Sequence, residues 1–255
     1  MSFQISNYVR PSVLSLKPYA SARHEFTGEA DIFLDANENS LGSPLNEGLH
    51  RYPDPYQTEL RNMLAELKGV LPNQIFFGNG SDEPIDLLMR AFCRPGIDHI
   101  LVQPPTYSMY GISAAINDVE VVQVPLQADF QPDRKILLKS INTNTKMVFF
   151  CSPNNPSGNL MKREVIEEVL RMQNCMVVVD EAYIDFAEEP SLVHELIKYP
   201  NLVVLQTFSK ALGLAAARLG VLFADEAIIK VLNKIKPPYN ISLLSQQAGI
   251  KSFAG

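Results

Sequence analysis

Short, uninterrupted apolar runs alternate with amphipathic segments over most of the chain. Runs such as MVFFC, MVVV and LVVL are bounded by polar or turn-forming residues, which is typical of strands buried on both faces. Segments such as YQTELRNMLAELKGV and KREVIEEVLRM repeat apolar residues at helical spacing, which predicts helices with one buried face. Because helices between such strands serve as crossover connections, the pattern predicts an α/β fold with a mostly parallel sheet sandwiched by helices.

The predicted elements begin near residue 56 and continue to the carboxyl-terminal end. Strands are expected at 75–80, 99–105, 119–126, 146–153, 176–180, 201–208 and 218–224. Helices are expected at 56–70, 81–92, 106–116 and 162–172, and a further helix begins near Ser242. Up to about residue 60, prolines interrupt any long period, so an arm outside the core is expected. The predicted units are an arm with a small-domain segment (1–50), a large domain (51–240) and an incomplete second small-domain segment (241–255).

Composition and charge favour a protein that acts on small molecules. The net charge of -6 argues against general nucleic-acid binding, because phosphate backbones are bound by clustered Lys and Arg. The amino-terminal segment lacks the apolar core of a signal peptide, and no segment approaches the length of a membrane span. We therefore expect a cytoplasmic protein with no membrane partner.

Cysteine and histidine usage points away from disulfides and metals. Cys93, Cys151 and Cys175 show no paired spacing and lie in or beside apolar runs, which favours buried, reduced thiols. No metal site is expected, because ligand spacing is absent among the histidines His24, His50, His99 and His194.

The segment TFSKALGLAAARLG, which directly follows a predicted strand, carries the strongest chemical signal. A single lysine on a loop is ordinarily a solvated surface residue, but Lys210 follows the hydroxyls of Thr207 and Ser209 and precedes a run of small residues. Desolvation in a pocket there would lower the pKa of the amine, whose neutral form attacks an aldehyde. The hydroxyls and Arg218 are donors suited to a phosphate ester.

Two further polar motifs follow predicted strands upstream of Lys210. Asp180 ends the strand of VVVDEAYIDF, where an open α/β sheet binds its ligands, although an acid in this position is often only a helix cap. If the ligand were a cofactor with a pyridine ring, a carboxylate there would keep the ring nitrogen protonated. Tyr183 and Asn155, the latter in SPNNPSG, would donate hydrogen bonds to a phenolic oxygen on that cofactor ring. Taken alone, NNPSG is simply a turn signal.

The string FFGNGSDE joins a predicted strand to a predicted helix. Backbone amides at a helix start bind anions, and a turn ending in Gly80 allows close approach of a phosphate. Ser81 and Asp82 are also ordinary capping residues, so both uses stay open. Tyr107, at another strand-to-helix turn, can stack on a flat ring or simply pack in the core.

In this order, the motifs resemble those of the fold-type I transferases that depend on pyridoxal 5'-phosphate (PLP). The likeness rests on an Asn-Pro-x-Gly, an Asp-x-x-Tyr and a Ser-Lys with a following Arg. It implies that Lys210 is the catalytic residue and holds PLP as a Schiff base, and that 51–240 is the PLP-binding domain. The implied cofactor-binding residues are Gly80, Ser81, Asp82, Tyr107, Asn155, Asp180, Tyr183, Thr207, Ser209, Lys210 and Arg218.

Within that group, LKPYASAR, LDANENSLG, RYPDPYQTELR, GNGSDE and KPPYNIS resemble segments of the histidinol-phosphate aminotransferase family. The likeness implies that Tyr19 and Asn37 face the substrate, and that Tyr52 reaches the cofactor phosphate of the neighbouring subunit in a homodimer with shared active sites. It also implies reversible amino transfer between histidinol phosphate with 2-oxoglutarate and imidazole acetol phosphate with glutamate, a step of histidine biosynthesis. Lys210, once freed from the Schiff base, would then move a proton between the substrate carbon and the imine carbon of the cofactor.

Members of that family continue beyond the position equivalent to Gly255, with arginines that bind the anionic group of the substrate. A chain that ended here is expected to bind PLP with poor or no turnover. Two alternatives stay open. One is another enzyme of the same fold, an aromatic amino acid aminotransferase or a threonine-phosphate decarboxylase. The other is a PLP-binding module without catalysis, such as a regulator, although the chain shows no basic helix-turn-helix segment.

Overall fold

The computed structural model describes residues 4–18, 32, 35–45 and 48–253. Within these residues the strands are β1 (Ile75–Asn79), β2 (His99–Val102), β3 (Glu120–Gln123), β4 (Thr145–Cys151), β5 (Met176–Asp180), β6 (Leu202–Thr207) and β7 (Leu219–Ala224). The α-helices are α1 (Pro11–Leu14), α2 (Thr58–Lys68), α3 (Asp82–Phe92), α4 (Met109–Ile116), α5 (Arg134–Ser140), α6 (Arg163–Met172), α7 (Glu226–Ile235) and α8 (Leu243–Phe253). None of the helices in this part of the chain is long and apolar enough to cross a membrane.

The strands form one sheet in the order β1-β7-β6-β5-β4-β2-β3. The pairs from β6 to β3 are parallel, whereas β7 runs antiparallel to both of its neighbours, β1 and β6. Six strands therefore end at one edge of the sheet, and β7 begins there. The predicted mostly parallel α/β fold is confirmed.

Two apolar layers cover the two faces of the sheet. Because successive strand residues point to opposite faces, Val177 and Val179 of β5 pack in the layer that includes α2 and α6. Met176 and Val178 pack in the layer that includes α3, α4 and α7. The same alternation sends Asp180 toward the second layer and Glu181 toward the first, so these adjacent acids lie in different environments.

Helices α5 and α7 are absent from the sequence-based assignment, although each carries a start signal. Asp133 precedes α5 and accepts from the backbone amides of Lys135 and Ile136. Asp225 caps α7 in the same manner, through the amide of Ala227. An acid at the N-cap position satisfies amides that have no partner within the helix, and this is the signal that could have located both helices.

The expectation that the amino-terminal arm lies outside the core is wrong for its first part. Val9 and Val13 are buried and pack in the layer of α3 and α7. The backbone amide of Arg10 donates to the carbonyl of Ala91 at 2.9 Å, which holds this segment against the end of α3. Only Val13 lies on α1, so no helical period marks the pair, and burying the two apolar side chains outweighs the proline-rich character of the flanking sequence.

Helix α8 packs against α2 and β7. Gly249 is buried at this contact, where an added Cβ would meet Leu219 and Leu60 at 2.8 and 2.9 Å. The division of the chain into an arm, a large domain and a second small-domain segment stays a prediction.

Candidate functional site

A cavity of about 180 Å³ lies at the sheet edge where six strands end and β7 begins. Its walls come from the turns after β1, β2, β4, β5 and β6 and from the residues just before β7. Ten of the residues singled out by sequence line it, namely Ser81, Asp82, Tyr107, Asn155, Asp180, Tyr183, Thr207, Ser209, Lys210 and Arg218. Residues far apart in the chain thus meet because parallel strands end at a common edge.

Asp180 is the most buried charged group of this cavity. Its side chain is 3% exposed, its Oδ1 accepts from the amide of Ala182 at 3.0 Å, and its Oδ2 accepts from the Tyr110 hydroxyl at 2.6 Å. Burial raises the pKa of Asp180 above its ordinary value, and the two hydrogen bonds oppose that rise. A cation placed beside this carboxylate would offset the desolvation, so the site fits a protonated ring nitrogen.

Lys210 lines the same cavity and lies on the turn after β6. Its Nζ lies 5.4 Å from the centroid of the Tyr183 ring. The expectation that the lysine is desolvated is wrong, because the Lys210 side chain is exposed. The small residues that follow it provide space but too little side-chain surface to cover the amine, and Ala211 and Ala215 are themselves exposed.

The turn after β1 forms a narrow cradle together with the start of β7. Gly80 has a φ of +70°, and its amide donates to the carbonyl of Arg218 at 2.7 Å. A Cβ on Gly80 would lie 2.4 Å from Arg218 Nη2, and one on Gly220 would lie 2.4 Å from the amide nitrogen of Ser81. The backbone and the guanidinium therefore approach each other only because glycines stand at both positions, which suits an anion held by amides and an arginine.

Arg218 and Tyr107 converge on Asp82. Arg218 has a left-handed backbone, with φ at 49°, and its Nη2 lies 3.6 Å from Asp82 Oδ2. The Tyr107 hydroxyl donates to Asp82 Oδ1 at 3.0 Å. Burial and the Asp82 carboxylate raise the pKa of Tyr107 to about 12, so this phenol stays protonated at neutral pH.

The arm residues lie apart from this cavity or outside the described residues. Tyr19 is not among the residues that the structure describes. Asn37 is exposed, with φ at 53°, and does not line the cavity. Tyr52 is half exposed and stacks on Tyr239 with ring centroids 4.4 Å apart. The structure thus brings together the predicted cofactor residues of one chain, whereas Asn37 and Tyr52 do not line the cavity.

The chain matches the family model described as "Aminotransferase class I and II" over residues 32–254. The histidinol-phosphate aminotransferase of Cytophaga hutchinsonii is 54% identical over 253 residues, which are 99% of this chain and 73% of that relative. The chain belongs to the histidinol-phosphate aminotransferase family. The family resemblance inferred from the sequence motifs is therefore confirmed.

Solved structures show how widely this fold is shared. The histidinol-phosphate aminotransferase from Sinorhizobium meliloti, solved in complex with pyridoxal-5'-phosphate, is 27% identical with a TM-score of 0.73, covering 86% of this chain and 63% of that chain. The L-threonine-O-3-phosphate decarboxylase from Porphyromonas gingivalis is 25% identical with a TM-score of 0.70, covering 81% and 64%. The predicted fold-type I class is confirmed, but the fold alone does not distinguish histidinol-phosphate aminotransferases from this decarboxylase.

In this member of the histidinol-phosphate aminotransferase family, sequence reasoning missed Tyr110. The residue lies on α4, is 1% exposed, and stacks on Phe149 of β4 with centroids 4.7 Å apart. Its hydroxyl donates to Asp180 Oδ2 at 2.6 Å and, among the described residues, is the only side-chain group that donates to this carboxylate. Its proximity to Tyr107 in the sequence was a possible signal, because the two rings meet edge to face with centroids 5.6 Å apart.

Proposed function

We propose that the protein catalyses PLP-dependent amino transfer between histidinol phosphate and 2-oxoglutarate, which yields imidazole acetol phosphate and glutamate. The observation that carries the proposal is the convergence, in one cavity, of the Lys210 amine, the buried Asp180 carboxylate and the glycine cradle beside Arg218. The membership of the chain in the histidinol-phosphate aminotransferase family specifies the substrate.

In this proposal the ring of PLP lies between the walls of the cavity. Asp180 holds the protonated pyridine nitrogen, and Asn155 and Tyr183 donate to the phenolic oxygen at the opposite edge. Tyr107 stacks on the ring. When bound in this way, the cofactor supplies an electron sink for negative charge that develops on the substrate carbon.

The phosphate of PLP lies in the cradle of the β1–α3 turn. The backbone amides of Ser81 and Asp82, the hydroxyls of Thr207 and Ser209, and the Arg218 guanidinium would bind its oxygens. Gly80, whose amide donates to the Arg218 carbonyl, would let the phosphate approach the backbone closely. Because Asp82 Oδ2 lies 3.6 Å from Arg218 Nη2, the guanidinium would be shared between this carboxylate and a bound phosphate.

Lys210 has two tasks in this site. Its Nζ would hold the cofactor covalently in the resting enzyme. Once free, the same Nζ would be the group that removes and returns the proton at the substrate carbon. The exposure of Lys210 leaves this amine open to an incoming substrate.

The remaining parts of the proposal concern the assembly and the substrate contacts. We infer a homodimer with shared active sites in the cytoplasm, in which Tyr52 reaches the cofactor phosphate of the neighbouring subunit. The half-exposed ring of Tyr52, which stacks on Tyr239, supports this role because it does not line the cavity of its own chain.

Tyr19 and Asn37 would contact the substrate. A groove of about 670 Å³ that shares Asn155 and Tyr183 with the cavity provides a route to the ring.

Steady-state assays test the proposal. Histidinol phosphate, phenylalanine and threonine phosphate are compared as substrates, and we expect turnover with the first. Preferential turnover of phenylalanine or decarboxylation of threonine phosphate would instead assign the alternative activities. After reconstitution with PLP, the wild type should show a visible absorption band that Lys210→Ala abolishes. The matched control is Lys135→Ala, which removes an exposed amine from α5 and should retain the band.

A further inference from the structure

The motif KPPYN, residues 236–240, forms a polar junction beside the β1–α3 turn. Lys236 Nζ donates to the carbonyls of Pro55 and Pro238, each at 3.0 Å, and to Asn240 Oδ1 at 3.1 Å. These bonds tie the end of the arm to the chain that follows α7. Part of the Lys236 side chain is buried, so the amine takes protein oxygens in place of water.

Asn240 extends the junction to the turn itself. Its Nδ2 donates to the carbonyl of Phe77 at 2.9 Å and to Glu83 Oε2 at 3.1 Å. The same oxygen of Glu83 accepts from the backbone amide of Asn79 at 2.6 Å. A continuous path of hydrogen bonds therefore runs from Lys236 through Asn240 and Glu83 to Asn79, the last residue of β1 before the turn.

The turn is held from two sides. Glu83 binds the amide of Asn79, and on the other side the amide of Gly80 donates to the carbonyl of Arg218. A Cβ on Gly80 would lie 2.4 Å from Arg218 Nη2, so the backbone of the turn passes close to the guanidinium. We expect a displacement of Asn79, the residue before Gly80, to change the gap between them. The hydrogen bond to Glu83 is connected to the KPPYN junction, whereas the hydrogen bond to the Arg218 carbonyl is not.

Burial and neighbouring charges have opposing effects on the pKa of the Lys236 amine. Burial lowers the pKa of Lys236 to about 8, an effect that Glu83 and Asp54 oppose and Arg61 reinforces. At neutral pH the amine is still mainly protonated, which strengthens its bonds to the carbonyls and to Asn240.

We propose that Lys236, Asn240 and Glu83 are positioning residues that hold the β1–α3 turn in the geometry that binds the cofactor phosphate. The inference rests on the proposed function, because it takes that turn as the phosphate site. None of the three side chains lines the cavity, so they act through the backbone of Asn79 and Gly80.

The test compares PLP with pyridoxal, which has the same ring and aldehyde but no phosphate. Affinities of both for the cofactor-free protein are measured by absorbance titration in the wild type and in Lys236→Met, Asn240→Ala and Glu83→Gln. We expect each variant to lower the affinity for PLP about tenfold, the loss for one hydrogen bond to a charged group, while the affinity for pyridoxal stays at the wild-type value. The phosphorus NMR signal of bound PLP should shift as well.

The controls come from one exposed ion pair on α7. Glu226 and Lys230 lie 2.5 Å apart, so Glu226→Gln and Lys230→Met make the same chemical changes away from the turn. Both should keep the wild-type ratio of PLP affinity to pyridoxal affinity. If the junction variants keep the wild-type ratio of PLP affinity to pyridoxal affinity, whether or not both affinities fall, the junction does not position the phosphate site.

Failure of the underlying function has a different signature. A wild type that binds PLP no better than pyridoxal would mean that the turn is not a phosphate site, and both proposals would be wrong. If a junction variant does not fold, hydrogen exchange in the wild type replaces it. The Asn79 amide should exchange more slowly with PLP bound than with pyridoxal bound, and equal rates would overturn the inference.

Discussion

Replacing Tyr110 with phenylalanine removes the hydroxyl that donates to Asp180 Oδ2 at 2.6 Å and changes little else. Tyr110 is 1% exposed and its ring keeps its stacking on Phe149, so no cavity large enough for water opens in the apolar layer. The Asp180 carboxyl is then left with the amide of Ala182 as a donor. The variant therefore isolates one buried hydrogen bond to an acid of the proposed cofactor site.

The cost of this change depends on the charge of Asp180. Below its ordinary pKa of 3.8 the carboxyl is protonated, and losing a neutral hydrogen bond costs roughly 0.5–1.5 kcal/mol. Above the raised pKa of the folded state the group is ionised, and the cost is about 1.5–3 kcal/mol. This difference, on the order of 1 kcal/mol, means that the substitution raises the pKa of Asp180 still further.

The sign of the pH dependence follows from proton binding. Burial raises the pKa of Asp180, so between 3.8 and that raised value the folded state binds more protons than the unfolded state. Stability of the cofactor-free protein therefore falls as pH rises through this window, and Tyr110→Phe extends the fall. Urea unfolding from about pH 4 to about pH 9 measures the free energies of both proteins.

Tyr8→Phe is the matched control. The Tyr8 hydroxyl donates to the backbone carbonyl of Gln173 at 2.6 Å, so its loss should cost roughly 0.5–1.5 kcal/mol at every pH in this range. With PLP bound, Tyr110→Phe should also weaken cofactor binding, because Asp180 must be ionised to hold the ring nitrogen. A penalty for Tyr110→Phe that matches Tyr8→Phe and does not vary with pH would refute the reasoning.

Three further substitutions test other contacts. Gly80→Ala places a Cβ 2.4 Å from the Arg218 guanidinium and strains a backbone with φ at +70°, so titration should show at least tenfold weaker PLP binding, about 1.4 kcal/mol. Glu181→Ala leaves three donors unpaired in a buried site, which should cost roughly 2 kcal/mol in urea unfolding, with partial recovery in Glu181→Gln. Burial alone would raise the pKa of Asp98, but its hydrogen bonds to Arg94 lower it. Asp98→Asn should therefore lower the free energy of unfolding by roughly 1.5 kcal/mol at neutral pH, and by progressively less as pH falls through the acid range. Thermal melts at several pH values measure this loss.

Several features of the site followed from the sequence because they are local. Each apolar run that ends in a polar motif predicts a strand end, and parallel strands place their carboxyl ends at one edge. Asp180, Asn155 and Lys210 could therefore be assigned to a common site before any contact was known. Their placement in one cavity agrees with that assignment, and their roles toward the cofactor stay predictions.

Other features depended on contacts that no local pattern contains. The bond from Tyr110 to Asp180 joins residues 70 positions apart, and that from Asn240 to Glu83 joins residues 157 apart. Such pairs form only when distant segments pack against each other, so the spacing of residues along the chain carries no trace of them. The burial of Val9 and the exposure of Lys210 have the same origin, since both depend on which surfaces the rest of the chain covers.

The sequence by itself determined the α/β class, the strands and the order of the motifs, because the alternation of side chains along a strand and the spacing of a helix are properties of short segments. Only the tertiary structure decided which groups partner the Asp180 carboxyl, which side of the sheet edge Glu181 faces, and how the KPPYN junction reaches the β1–α3 turn. Burial and hydrogen bonding between distant segments depend on how the layers pack, and packing is settled by the whole chain at once.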